Sequence, residues 1–155
     1  MYRLTIDDTF SAAHAIVIKG WREPLHGHDW RVRLTLEAEL LDEDGLMVDF
    51  HAAQEDLRAI IAPFRNTNLN ETPPFDKLNP TAERVAAHIA TVFTERLQSR
   101  VREAPKNQVA PAVRVRSVRV TEAVGCAAVY FPPQAPHGKH KDRVNPYRSS
   151  PRRRS

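Results

Sequence analysis

The chain has a single cysteine, Cys126, in 155 residues, so no disulfide can form within it. No apolar run approaches the ~20 residues that a membrane-spanning helix requires. No charged-then-apolar leader opens the sequence, and no internal repeat is visible. These absences fit a reducing compartment, and the expectation is a soluble, cytoplasmic protein. A basic surface on the fold is missing too. Lys and Arg outnumber Asp and Glu by 23 to 19, but seven basic residues and one acid lie beyond Phe131, leaving 16 basic and 18 acidic residues before it. The high pI of about 9.6 therefore belongs to the tail, and nucleic acid is not expected as a partner.

What is present is one domain, residues 1–131, large enough to bury a core, followed by a Pro-, Arg- and Ser-rich stretch, 132–155, expected to be disordered. Residues 2–14 alternate, with Tyr2, Leu4, Ile6, Phe10 and Ala12 on one parity and Arg3, Thr5 and Asp7 on the other. A second strand sets Trp30, Val32, Leu34, Leu36, Ala38 and Leu40 against Arg31, Arg33, Thr35, Glu37 and Glu39. Asp49 is a candidate N-cap for a helix with the stripe Phe50, Ala53, Leu57, Ile60 and Ile61, ended or kinked at Pro63. A polar connection, 66–78, leads to Asn79-Pro80, read as N-cap and first position of a second helix that buries Val85, Ile89, Val92, Phe93 and Leu97. After a loop at 103–111, Val113 and Val115 share a parity that flips to Val118 and Val120, which predicts a bulge near Ser117. A final strand runs from Ala127 to Phe131, with Cys126 expected as a small core residue. The order ββααββ predicts an α+β fold: a four-stranded antiparallel sheet with two helices on one face.

The chemistry sits at the ends of the apolar rows. His26 and His28 flank Gly27 and share one face of their strand, and a hairpin would bring His14 across to them. Three imidazoles from two strands form a three-nitrogen zinc site whose fourth position stays open, the pattern of a catalytic zinc. The alternative is a polar turn beside a hydrogen-bonded core histidine. Glu122 also falls on a core-facing parity, where an acid is either paired or put to use.

Six motifs occur in order: Phe10-Ser11-Ala12-Ala13-His14, Leu25-His26-Gly27-His28, Gly45-Leu46-Met47-Val48-Asp49-Phe50, Leu69-Asn70, Asn79-Pro80-Thr81-Ala82-Glu83 and Val118-Arg119-Val120-Thr121-Glu122. Together they resemble the 6-pyruvoyltetrahydropterin synthase family, which includes the 6-carboxytetrahydropterin synthases. The resemblance implies a tunnelling fold (T-fold), in which trimers close a barrel and two trimers stack into a hexamer with active sites at subunit interfaces. It also implies zinc on His14, His26 and His28, and 7,8-dihydroneopterin triphosphate or a close relative as substrate. Glu83 and Glu122 match the acids that anchor the pterin, and a carboxylate suits the paired N–H groups of that ring.

Two positions depart from the common pattern. Most members place a catalytic cysteine four residues before the first histidine of the pair, where this chain has Arg22, followed by Glu23. The segment resembles the branch called type III, in which glutamate replaces the cysteine and 6-hydroxymethyl-7,8-dihydropterin is made for folate synthesis. The Asp-His proton relay expected just ahead of Leu69-Asn70 is Arg65-Asn66 here, and neither side chain is a base near neutral pH. Arg65 could instead clamp the triphosphate from a neighbouring subunit. His51 and His88 are expected on the surface or in helix packing. The expected reaction is a zinc-assisted retro-aldol with Glu23 as base. The alternatives are the family's carbon–oxygen lyase reaction and a zinc- and pterin-binding hexamer without turnover.

Overall fold

The computed structural model describes residues 1–103 and 111–133. Its spine is a pair of long antiparallel strands, β1 (Tyr2–His14) and β4 (His26–Ala38), in unbroken register from Tyr2 opposite Ala38 to His14 opposite His26. Between them a two-stranded ribbon, β2 (Val17–Ile18) and β3 (Trp21–Arg22), turns through Lys19 and Gly20, both at positive φ. Two such residues form the tight turn whose twist matches a hairpin. β6 (Arg114–Ala123) pairs with β4, and β7 (Cys126–Tyr130) pairs with β6, both antiparallel. A short β5 (Thr67–Asn68) adds a parallel edge beside β1, giving the order β5-β1-β4-β6-β7. The expected sheet is thus present, with one extra edge strand and a separate ribbon that alternation could not reveal at two residues each.

The core lies between one face of this sheet and two helices, α1 (Phe50–Ile61) and α2 (Ala82–Glu103). Leu4, Ile6, Phe10, Trp30, Val32, Leu34 and Leu36 meet Leu57 and Ile61 of α1 and Val85, Ile89 and Phe93 of α2. At roughly 1.5–3 kcal/mol per large apolar side chain, this layer holds the domain together. The parity flip on β6 has its predicted cause. The register passes from Thr35 opposite Ser117 to Leu36 opposite Val115, so Arg116 is the extra residue and Val115 and Val118 both turn inward.

Several sequence expectations are corrected. Phe50 and Leu40 are exposed, because α1 starts at the rim of the core and the apolar row of β4 ends at Ala38. Val92 is only half-buried. Cys126 is exposed on β7, not a core residue. Asp49 does cap α1, accepting from the His51 N–H at 2.8 Å. Asn79 does not cap α2: the helix opens at Ala82 behind Thr81, whose hydroxyl accepts from the Arg84 N–H at 3.4 Å. The expected loop at 103–111 and the tail at 132–155 lie almost entirely outside the described residues. No described helix is long and apolar enough to cross a membrane.

Candidate metal centre

The register of β1 and β4 decides which side chains meet. His14 stands opposite His26, and His28 stands opposite Ala12, so all three rings lie on the core-facing side where the apolar rows end. Val120 is opposite Val32, and two residues further on Glu122 reaches the same place from β6. The ring centroids are 4.7 Å apart for His14 and His26, 5.3 Å for His14 and His28, and 4.9 Å for His26 and His28. Trp30 closes the floor, 4.8 Å from the ring of His14 and 5.8 Å from that of His28.

Two backbone carbonyls orient these rings. His14 Nδ1 lies 2.8 Å from the carbonyl oxygen of Pro80, and His26 Nδ1 lies 2.8 Å from that of Pro24. A carbonyl only accepts, so each Nδ1 carries a proton, and the ring's other nitrogen, Nε2, is the one left for a ligand. Such an outer hydrogen bond is the habitual second partner of a metal-bound histidine. Inside, His14 Nε2 and His28 Nε2 are buried with no hydrogen-bond partner among the described residues. Glu122 Oε1 sits 2.9 Å from the first and 3.2 Å from the second. Lone pairs facing a carboxylate repel unless a proton or a cation lies between them. Burial lowers the pKa of His28, assisted by His14 and His26 and opposed by Glu122, which keeps that ring in its neutral, ligand form. One ligand atom from each of His14, His26, His28 and Glu122 falls within 4.8 Å of the others. Burial, tautomer and donor set all fit a divalent cation held by imidazole nitrogen.

Glu83, in the first turn of α2, lines a cleft of about 470 Å³ together with Glu122, Thr81, Ile16 and Cys126. Glu23 follows β3, with its N–H donating to the Ile16 carbonyl at 3.0 Å. A second cleft of about 470 Å³, bounded by Ser11, Ala13, Gly27, His28, Asp29, Asn66 and Thr67, shares only His28 with the cluster, since Ser11, Ala13, Gly27 and Asp29 belong to the opposite parity of their strands. Arg65 does not join the cluster within one chain. Its guanidinium lies 3.0 Å from Asp8, six residues down β1 from His14 and about 20 Å away along the strand. His51 is exposed, and His88 packs edge-on against Phe64 and Phe75 at 5.7 and 5.5 Å. Sequence reasoning missed the Pro80 and Pro24 carbonyls, which carry no residue signature, and the place of Cys126 in the cleft.

The family model for 6-pyruvoyl tetrahydropterin synthase matches residues 3–133. The chain belongs to this family of pterin-processing lyases. It is 29% identical over 100 residues to the dihydroneopterin monophosphate aldolase of Pyrococcus furiosus, covering 64% of this chain and 82% of that one. It is 27% identical over 117 residues to a protein of Archaeoglobus fulgidus named as a candidate 6-carboxy-5,6,7,8-tetrahydropterin synthase, covering 76% and 84%. Among solved structures, the fold resembles Caenorhabditis elegans 6-pyruvoyl tetrahydropterin synthase, with a TM-score of 0.63 and 17% identity over 86% of this chain and 98% of that one. It also resembles the Plasmodium vivax enzyme in a form whose catalytic glutamate is replaced by alanine, with a TM-score of 0.62 and 19% identity over 83% and 96%.

Proposed function

We propose that the protein is a zinc-dependent lyase that breaks the C1′–C2′ bond of 7,8-dihydroneopterin, free or phosphorylated, to give 6-hydroxymethyl-7,8-dihydropterin and a two-carbon aldehyde. The observation that carries this reading is the cluster itself. Three imidazoles converge with Glu122, which also lines a cleft beside Glu83, and the only acid between the first and second histidines is Glu23. Two relatives support it from outside: an aldolase that acts on a dihydroneopterin monophosphate, and a synthase whose catalytic residue is a glutamate.

His14, His26 and His28 would hold the zinc, which when bound supplies Lewis-acid polarisation of the substrate's hydroxyl groups. Glu83 and Glu122 accept the N–H groups of the pyrimidinone edge and orient the ring. Glu23 takes the proton of the 2′-hydroxyl. The C2′–O bond becomes a carbonyl as the C1′–C2′ bond breaks, and its electron pair enters the conjugated dihydropterin ring. A proton delivered to C1′ completes the hydroxymethyl group, and the protonated Glu23 can return it. Arg65, reaching a neighbouring subunit's site, grips the phosphate. The assembly we propose is the hexamer of two stacked trimers, consistent with the exposed apolar side chains Val129 and Phe131 at the β7 end of the open sheet.

A second reading is favoured by the 2.9 Å approach of Glu122 to His14 Nε2. As a fourth ligand Glu122 would close the coordination shell and leave a pterin-binding protein without turnover. Zinc-loaded protein incubated with 7,8-dihydroneopterin, its monophosphate and its triphosphate separates these outcomes by product mass. The hydroxymethyl product is expected. Pyruvoyl or carboxy products alone would assign the family's other chemistry, and tight pterin binding without product would assign the inert reading.

A further inference from the structure

Two asparagines grip the segment between His14 and Glu23 by its backbone. The Asn70 side chain accepts from the Ala15 N–H at 2.8 Å and donates to the Ala15 carbonyl at 2.8 Å. Asn79 treats Val17 in the same way, accepting from its N–H at 2.8 Å and donating to its carbonyl at 3.0 Å. One amide that satisfies both polar groups of one residue stands in for a neighbouring strand along an edge that has none.

From Val17 the order passes onward through hydrogen bonds. Val17 pairs with Arg22 across the β2–β3 ribbon, and the next residue, Glu23, donates its N–H to Ile16 at 3.0 Å. The residue after Asn79 is Pro80, whose carbonyl orients His14. The Asn79-Pro80 dipeptide therefore touches both halves of the proposed machinery: its backbone aligns a ring proposed to ligate the metal, and its side chain anchors β2, whose partner β3 leads into Glu23. Helix capping does not explain Asn79, because Thr81 fills that position.

We propose that Asn79 is a positioning residue that fixes the ribbon, and with it the Glu23 carboxylate, relative to the histidine cluster. Asn70 secures the His14 end of the same segment. Proton transfer then depends on the Asn79 side chain, while metal binding, which uses the Pro80 backbone, does not. The inference rests on Glu23 being the base. Only an amide both donates and accepts here; aspartate keeps the Val17 N–H bond and loses the carbonyl bond, and alanine loses both.

The test compares zinc-loaded full-length Asn79→Ala, Asn79→Asp, Glu23→Gln and the Asn79→Ala/Glu23→Gln double variant for zinc per chain, KM and single-turnover rate with 7,8-dihydroneopterin. A displacement of about 1 Å at a reacting group costs up to ~100-fold. Asn79→Ala should therefore lower the rate about 10- to 100-fold, with zinc content and KM held within about twofold, and Asn79→Asp should fall between it and wild type. In the Glu23→Gln background the alanine change should add nothing, because its effect runs through that carboxylate. Wild-type rates in both Asn79 variants, multiplicative losses in the double variant, or zinc lost in step with rate would each overturn the proposal while leaving an inert Glu23→Gln, and hence the base assignment, intact. A fully active Glu23→Gln removes the base assignment itself and the positioning role with it. Should Asn79→Ala not fold, the aspartate variant and its own double variant with Glu23→Gln carry the same comparison.

Discussion

The two ends of the β1–β4 pair each bury charge or charge-binding groups, and they treat them in opposite ways. At one end Glu37, 3% exposed, receives Arg114 at 2.9 Å, Arg3 at 3.4 Å and Arg116 at 3.6 Å. At the other, His14 and His28 turn buried nitrogens toward one another and toward Glu122, with no hydrogen-bond partner among the described residues. The first cluster is complete within the chain, so its work is structural. The second gathers imidazole nitrogens and a carboxylate oxygen around one point, the donor set of a cation site. That donor set is why the proposed function is assigned to the histidine end and not to the arginine end.

The comparison breaks most visibly in activity. Glu23→Gln should lower kcat about 10²- to 10⁴-fold, or about 2.7–5.5 kcal/mol in the barrier, the range for a general base. Glu37→Gln should leave kcat unchanged, and steady-state kinetics on both variants checks the contrast. Stability should show the reverse. Glu37→Gln removes charge-assisted hydrogen bonds and should cost about 1.5–3 kcal/mol in urea unfolding. Glu23→Gln should leave the midpoint within about 0.5 kcal/mol.

Glu122→Gln sharpens the histidine side. As a pterin anchor, Glu122 should raise KM on substitution while zinc affinity holds; as a fourth ligand it should weaken zinc binding at unchanged pterin affinity. Titrating each ligand separately decides. The smallest effect is in pH. Burial alone would raise the pKa of Glu37, but the Arg114 hydrogen bond and charge, with Arg3 and Arg116, outweigh it and hold the carboxyl below its ordinary 4.5. The folded state thus favours the ionised form. Its stabilisation is present above about pH 4.5 and is lost as pH falls through the lower folded value. The stability gap between wild type and Glu37→Gln should accordingly narrow across that acid range.

The parts legible in sequence share a physical trait: each is written in a period. Strands β1 and β4 announce themselves by alternation, the β6 bulge by a broken alternation, and the helices by their stripes. Period also placed His14, His26 and His28 on one face. What escaped reading is contact between a side chain and distant backbone. Asn79 reads locally as an N-cap because its amide suits one, yet its partner is Val17, 62 residues away. Glu37 reads as a solvent-facing acid because its parity is polar, and only pairing beside β6 brings Arg114 and Arg116 onto it. Cys126 looks like a core residue by type, but β7 is an edge strand that leaves it open to the cleft.

The central claim is that the histidine end is completed by a cation, and metal content measures this most directly. Protein purified without chelator, dialysed and analysed by elemental mass spectrometry should carry one zinc per chain, retained in Glu23→Gln and Glu37→Gln and lost in His26→Ala. Wild-type protein that stays metal-free after exposure to zinc, or a His26→Ala variant that binds as much as wild type, would contradict the account.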